Sequence, residues 1–135
     1  RQRKSCNEMI DTMGIICQGG KDTIGTLSGG NQQKVIVGRW LLKTCKLLIL
    51  DEPFQGVDIK ARRDIGTHIR ATSDNRATLV FVSEIDEAVE IADRIIVLHE
   101  KAVVGEHVNR NIDLSELLSQ VSGTSNTLKQ VESLQ

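Results

Sequence analysis

Apolar residues recur at helical spacing near the N-terminus, at Cys6, Met9, Ile10, Met13, Ile16 and Cys17, until Gly19-Gly20 interrupt the pattern. One helix is predicted there. After a polar stretch, Ser28 stands as an N-cap ahead of Val37, Trp40 and Leu41 at i, i+3 and i+4, so a second helix should end near Lys43. Leu47-Leu48-Ile49-Leu50 is an unbroken apolar run closed by Asp51 and Pro53, the pattern of a parallel strand covered on both faces. Asp58 can cap a third helix that buries Ala61, Ile65 and Ile69, and residues 78–82 read as another buried strand. Ser83 and Asp86 form a capping-box pattern ahead of Ile85, Ala88, Val89 and Ala92. Residues 94–99 and 102–107 flank Glu100-Lys101 as a hairpin. Asp113 and Glu116 cap a last helix carrying Leu114, Leu117, Leu118 and Val121, which Gly123 ends, and the polar residues 124–135 should fray. Strands alternating with helices indicate an α/β unit with a mostly parallel sheet, because parallel neighbours need crossover connections. No internal repeat or linker is visible.

Composition narrows this picture. At 135 residues, 39% hydrophobic and 26% charged, the chain reads as one globular unit rather than a disordered one. Its 17 Lys+Arg against 18 Asp+Glu argue against a nucleic-acid reader working through a basic surface. Only Trp40, Phe54 and Phe81 are aromatic, so the core must be aliphatic and stacking on bases is poorly supplied. No apolar run approaches the ~20 residues that cross a bilayer, and Arg-Gln-Arg-Lys at the start leads into no signal-peptide core. Cys6, Cys17 and Cys45 are odd in number and lack a CxxC pair, which fits a reducing, cytosolic compartment; they are expected as small buried apolar residues. His68, His99 and His107 have no metal-ligand spacing. The chain starts at Arg1 without an initiator Met, so it is expected to be a piece of something longer.

Two features carry chemistry. Asp51 and Glu52 sit at the carboxyl end of a predicted strand, where open α/β sheets place ligands. One acid there can hold Mg²⁺ while the next orients or deprotonates a water; alone, the pair could equally end a strand in a solvated turn. In Leu27-Ser28-Gly29-Gly30-Asn31-Gln32-Gln33-Lys34, two glycines let a phosphate approach the backbone, helix N-terminal N–H groups bind anions, and Ser28 adds a hydroxyl. Alone, that run could be a glycine turn with an ordinary cap.

Together, LSGGNQQK at 27–34, LLILDEP at 47–53 and Gly56-Val57-Asp58 resemble the ATPase subunits of ABC transporters. More narrowly, the chain is similar to the second ATPase half of the ribose/galactose type of sugar importer, a likeness continuing through VSE at 82–84 and ADRIIVLHE at 92–100. The resemblance implies a P-loop NTPase fold of RecA-like type. It places Ser28, Gly29, Gly30 and Gln32 in the signature loop, which contacts ATP held by the opposing ATPase half. It likewise implies that Asp51 supports Mg²⁺, that Glu52 is the general base for the hydrolytic water, and that Asp58 belongs to the D-loop. Ser83 falls where many relatives carry the switch histidine, making it a second catalytic candidate, and Asn31 replaces the commoner Gln, as is usual in the sugar-importer branch. Phe54 and Gln55 stand where that branch has Thr and Arg.

No G-x-x-x-x-G-K-[ST] occurs anywhere in the chain, so the backbone cradle and Lys for ATP phosphates are missing with their strand. The resemblance therefore implies the C-terminal part of an ABC ATPase domain over 1–123, with 1–43 the helical signature part, 44–123 the Walker B half of the core, and 124–135 a tail. The implied cofactors are ATP and Mg²⁺. The implied partners are transmembrane permease subunits and the opposing ATPase half, with the protein cytoplasmic and peripheral on the inner face of the membrane. A sheet lacking its central strand has bare edges, so a dimer, a strand swap or a rearranged sheet is expected. The chain alone is expected to be inactive; the rival expectation is a non-catalytic interaction module docking on an intact ATPase half.

Overall fold

The computed structural model describes residues 2–124, which belong to two compact units, Arg1–Ser83 and Glu84–Gln135. The first contains α1 (Gln2–Thr12), a 3-10 turn (Ile24–Thr26), α2 (Gly29–Leu41), β1 (Leu47–Asp51), α3 (Ile59–Ala71) and β2 (Ala77–Phe81). α1 ends at Thr12 although the apolar spacing runs on to Cys17. Gly14 adopts φ +57°, and the Ile15 N–H reaches back to the Ile10 carbonyl at 2.9 Å, so the chain closes the helix and turns away. Met13 and Ile15 are buried by that turn, whereas Ile16 is left in solvent. Gly38 lets α1 and α2 meet, since a Cβ there would come 2.6 Å from Met9 Sδ.

Ser28 caps α2 as expected: its backbone is extended and its Oγ accepts the Asn31 backbone N–H at 3.4 Å, with Asn31 Nδ2 donating to the same oxygen at 2.8 Å. Val37 is buried, but Trp40 is 48% exposed and lies beside the Arg39 guanidinium, 5.5 Å from its ring centroid. The period located the face, and its width was overstated by Trp40. α3 begins where Asp58 Oδ1 accepts the Ala61 N–H at 2.8 Å, and Ala61, Ile65 and Ile69 are all buried. Lys34, only 6% exposed, joins three segments. Its Nζ pairs with Asp64 of α3 at 2.7 Å and donates to the Gly14 carbonyl at 3.1 Å.

β1 and β2 pair in parallel, from Leu47 opposite Ala77 to Asp51 opposite Phe81. Leu48 and Leu50 are buried, yet Leu47 (54%), Ile49 (55%), Leu79 (41%) and Phe81 (42%) are exposed. The pair is covered on one face rather than both. An unbroken apolar run reports a strand suited to two layers, and among the described residues only one layer is supplied.

The second unit contains α4 (Ile85–Ile91), β3 (Arg94–His99), β4 (Ala102–Val108) and α5 (Leu114–Val121). The capping box does not form: Glu84 is the N-cap of α4, without a side-chain bond. β3 and β4 are antiparallel, and their turn has both Glu100 (φ +48°) and Lys101 (φ +68°) left-handed, the backbone an Asn-Gly turn would have signalled. Ile95, Val97 and Leu117 form the core, with Ile85, Ala88, Val89, Ala92, Val104 and Ile112 packed around it. Asn109 Nδ2 ties the end of α4 to the hairpin by donating to the Val89 and Ala92 carbonyls at 2.7 and 2.8 Å.

Asp113 caps α5 through Oδ1, which accepts the Ser115 and Glu116 N–H groups at 2.9 and 3.2 Å. The Glu116 carboxylate instead accepts from Gln120 Nε2, so the capping is one-sided. Leu117 is buried while Leu114, Leu118 and Val121 are exposed. Cys6 is exposed and Cys17 and Cys45 are half-buried, against the expectation of core thiols. The expected frayed tail lies, from residue 125 onward, outside the described residues. The α/β class stands, and no described helix is long and apolar enough to cross a membrane.

Candidate functional site

The parallel register determines what meets at the ends of the strands. Because Asp51 pairs with Phe81, the next residue of β1's strand continues the ladder, and the Glu52 N–H donates to the Phe81 carbonyl at 3.0 Å. Two residues beyond Phe81, Ser83 Oγ donates to Glu52 Oε1 at 2.5 Å, across 31 positions of sequence. The hydroxyl that the sequence suggested as a cap thus serves the carboxylate. Asp51 is exposed at the strand end, and Glu52 beside it is half-buried.

The backbone at Glu52 is unusual. Its φ of +45° lies in the left-handed region, which costs a non-glycine residue about 1–2 kcal/mol. The following Pro53 further disfavours a helical backbone before it. The conformation persists because contacts hold it: the bond to Phe81, the turn closed by the Gln55 N–H on the Glu52 carbonyl at 3.2 Å, and the buried Pro53 and Phe54. The result is a side chain redirected from the pleat toward Ser83.

The glycine run forms the second part. Gly29 and Gly30 open α2, so their N–H groups, like those of any first turn, have no intrahelical acceptor, and Ser28 and Gly29 are exposed. Gly30 lets α2 pack tightly on α3, whereas Gly29 leaves room for an ordinary side-chain contact. A Cβ at Gly30 would lie 3.1 Å from Ala61 Cβ, and one at Gly29 would lie 3.6 Å from the Gly56 carbonyl. Gln32 reaches back past the cap, its Nε2 donating to the Leu27 carbonyl at 2.8 Å. Asp58 spends Oδ1 on the cap of α3.

Three residues of this neighbourhood carried no role in the sequence reading. Asn31 Oδ1 accepts the Ile16 N–H at 2.9 Å, Gln33 Nε2 donates to the Pro53 carbonyl at 2.8 Å, and buried Lys34 pairs with half-buried Asp64. Their signal was the polar run directly after Gly29-Gly30, where a purely amphipathic helix would already alternate.

Among the described residues, no group of three or more His, Cys, Asp or Glu is placed to hold a metal ion by itself. Asp51 suits Mg²⁺ in its usual manner, in which one or two carboxylates join phosphate oxygens and water. The exposed first turn of α2 with the Ser28 hydroxyl suits phosphate oxygens.

Known proteins resemble this chain in sequence and fold. The family described as ABC transporter matches residues 1–55. The arabinose import ATP-binding protein AraG of Shigella boydii is 35% identical over 87% of the chain, which spans 24% of that relative. YphE of Escherichia coli, an uncharacterized ABC transporter ATP-binding protein, is 35% identical over 88% of the chain, again 24% of the relative's length. The chain thus spans about a quarter of these curated relatives. In fold it superposes with a TM-score of 0.69 on the dimeric bacterial ABC transporter cassette MJ0796, at 25% identity, covering 82% of this chain and 48% of that one. With a strand-end carboxylate pair, a glycine-opened helix beside it, and relatives and cassettes that match across most of its length, the chain belongs to the ABC transporter ATPase family.

Proposed function

We propose that this chain provides the signature loop, the Walker B carboxylates and the D-loop of an ATPase that powers import of a pentose, hexose or related sugar. The observation that carries the reading is the Ser83–Glu52 hydrogen bond at the paired ends of β1 and β2. On this reading residues 1–123 are part of one ABC ATPase domain, 1–43 its helical signature part and 44–123 its Walker B half. The sugar assignment is supported by AraG, the identity of the motif run LSGGNQQK, and the Asn31 variant within it.

The residues then divide the work. Ser83 occupies Oε1 of Glu52 and fixes the carboxylate plane, which leaves Oε2 to accept a proton from water. Asp51 stands one residue away to hold Mg²⁺, which, when bound with ATP, neutralises phosphate charge. Ser28, Gly29 and Gly30 present a hydroxyl and N–H donors to nucleotide held by an opposing ATPase half. Gln32 supports this loop from behind through Leu27, and Asp58, as the cap of α3, holds the D-loop at the same edge. The partners are that opposing half and transmembrane permease subunits, which would keep the protein at the cytoplasmic face of a membrane.

The test is a hybrid in which residues 1–124 replace the corresponding stretch of AraG from Shigella boydii. The hybrid should hydrolyse Mg-ATP, whereas the 135-residue chain alone should show neither turnover nor micromolar ATP affinity, since phosphoryl transfer needs phosphates held in line and no G-x-x-x-x-G-K-[ST] is present. A hybrid that binds ATP without turnover, or an isolated chain that turns over, contradicts the reading.

A second reading, a non-catalytic module that docks on other chains, is favoured by one observation, the bare face of the β1–β2 pair with Leu47, Ile49, Leu79 and Phe81 exposed. Within its unit β2 also has no strand partner on its second edge among the described residues. Such a face and edge invite pairing, so the isolated chain should dimerise or exchange a strand. Light scattering at tens of micromolar checks this. Leu79→Lys, placed opposite Ile49, should shift the chain toward monomer, and a monomeric wild-type chain would remove the expectation.

A further inference from the structure

The turn that carries Glu52 is held by one side chain from the helix that carries the glycine loop. Gln33 lies on α2, five residues after Ser28, and its Nε2 donates to the carbonyl of buried Pro53 at 2.8 Å, in a partly buried contact. Pro53 follows the left-handed Glu52, and its carbonyl is the first peptide acceptor beyond the strained residue. A proline has no N–H with which to anchor itself, so a donor to its carbonyl is the direct means of holding that peptide plane. Nearby contacts reinforce the joint: Gly30 packs on Ala61, and Lys34 pairs with Asp64. These bind α2 to α3, and only Gln33 binds α2 to the Glu52 turn by a side-chain hydrogen bond among those described.

We propose that Gln33 is a positioning residue that couples the glycine loop of α2 to the Glu52 carboxylate by gripping the Pro53 carbonyl. Strain at Glu52 has two ways to relax: toward the extended region that a residue before proline prefers, or by opening the 52–55 turn. Either would swing the carboxylate from Ser83. With the carbonyl held, whatever Ser28, Gly29 and Gly30 meet is felt at Glu52 through one helix turn. The functional half of this inference rests on Glu52 being the general base.

The experiment has two arms, using Gln33→Met, which keeps length and removes the donor, and Gln33→Lys, which keeps an N–H donor. In the full chain, hydrogen exchange of the Gln55 and Val57 amides, which close the turn on the Glu52 and Phe54 carbonyls, should quicken about tenfold in Gln33→Met and return toward wild type in Gln33→Lys. In the AraG hybrid, Gln33→Met should lower kcat by about 10- to 100-fold with KM for ATP unchanged, as expected when a catalytic group is displaced by an ångström, and Gln33→Lys should recover most of it.

Unchanged exchange at residues 55 and 57 overturns the proposal, as does unchanged kcat. An equal loss in both variants, or lost ATP binding in both, also overturns it, because Gln33 would then serve packing. Glu52→Gln separates the two levels. Full turnover in that variant removes the functional reading itself, whereas its loss beside an active Gln33→Met removes only the coupling.

Discussion

Glu52→Gln in the AraG hybrid should lower ATP turnover by about 10²–10⁴-fold, the usual contribution of a positioned general base, while leaving ATP binding intact. The amide preserves the side chain's size and can still accept the Ser83 hydroxyl through its oxygen, so the turn at φ +45° has no new reason to relax. What it loses is the ability to take a proton. The measurement is steady-state turnover together with an ATP-binding titration on the same preparation. A parallel fall in both would mean that the substitution disturbs the nucleotide site as a whole, and unchanged turnover would move Glu52 out of the catalytic role. Asp51→Asn differs in kind, and its loss should be partly restored by excess Mg²⁺.

Asp64→Ala should destabilise the chain by about 2 kcal/mol, below the cost of breaking a fully buried ion pair because the acid is in part solvated. The asymmetry of the pair sets both size and direction. The Lys34 side chain is 8% exposed and that of Asp64 36%, so removing the acid strands a buried ammonium on the Gly14 carbonyl alone. Lys34→Met leaves instead a carboxylate that already reaches water, in exchange for an apolar side chain of similar length. That variant should cost only about 1 kcal/mol. Urea unfolding followed by the single tryptophan, Trp40 on α2, and by circular dichroism would rank them. The reverse order would show that Lys34 matters through packing of its stem rather than through its charge.

The self-association and the inactivity expected of the isolated chain share one origin. Leu47, Ile49, Leu79 and Phe81 form an apolar face that a lone pair of parallel strands cannot cover, and the phosphate-binding loop that the chemistry requires is not among these residues.

By itself the sequence determined the elements and the family. Ser28, Asp58 and Asp113 were readable as caps because a side-chain oxygen before an amphipathic run has one local use, and all three perform it. Ala61, Ile65 and Ile69 were readable as core for the same reason of period. The local pattern at Ser83 reads as a capping box, since a cap and a strand-end hydroxyl look alike until β1 and β2 are placed in register; the motif likeness alone marks it as a catalytic candidate, and only the register brings it to Glu52. Only the tertiary structure decided that Glu52 is left-handed, that Gln33 reaches Pro53, that Lys34 finds Asp64 thirty residues away, and that β1 is bare on one face. Each of these depends on which groups are brought within hydrogen-bonding or packing distance by the crossing of α2, α3 and the strands. No periodicity along the chain encodes distances of that kind, because they are fixed by close packing between elements and not by the torsions within one.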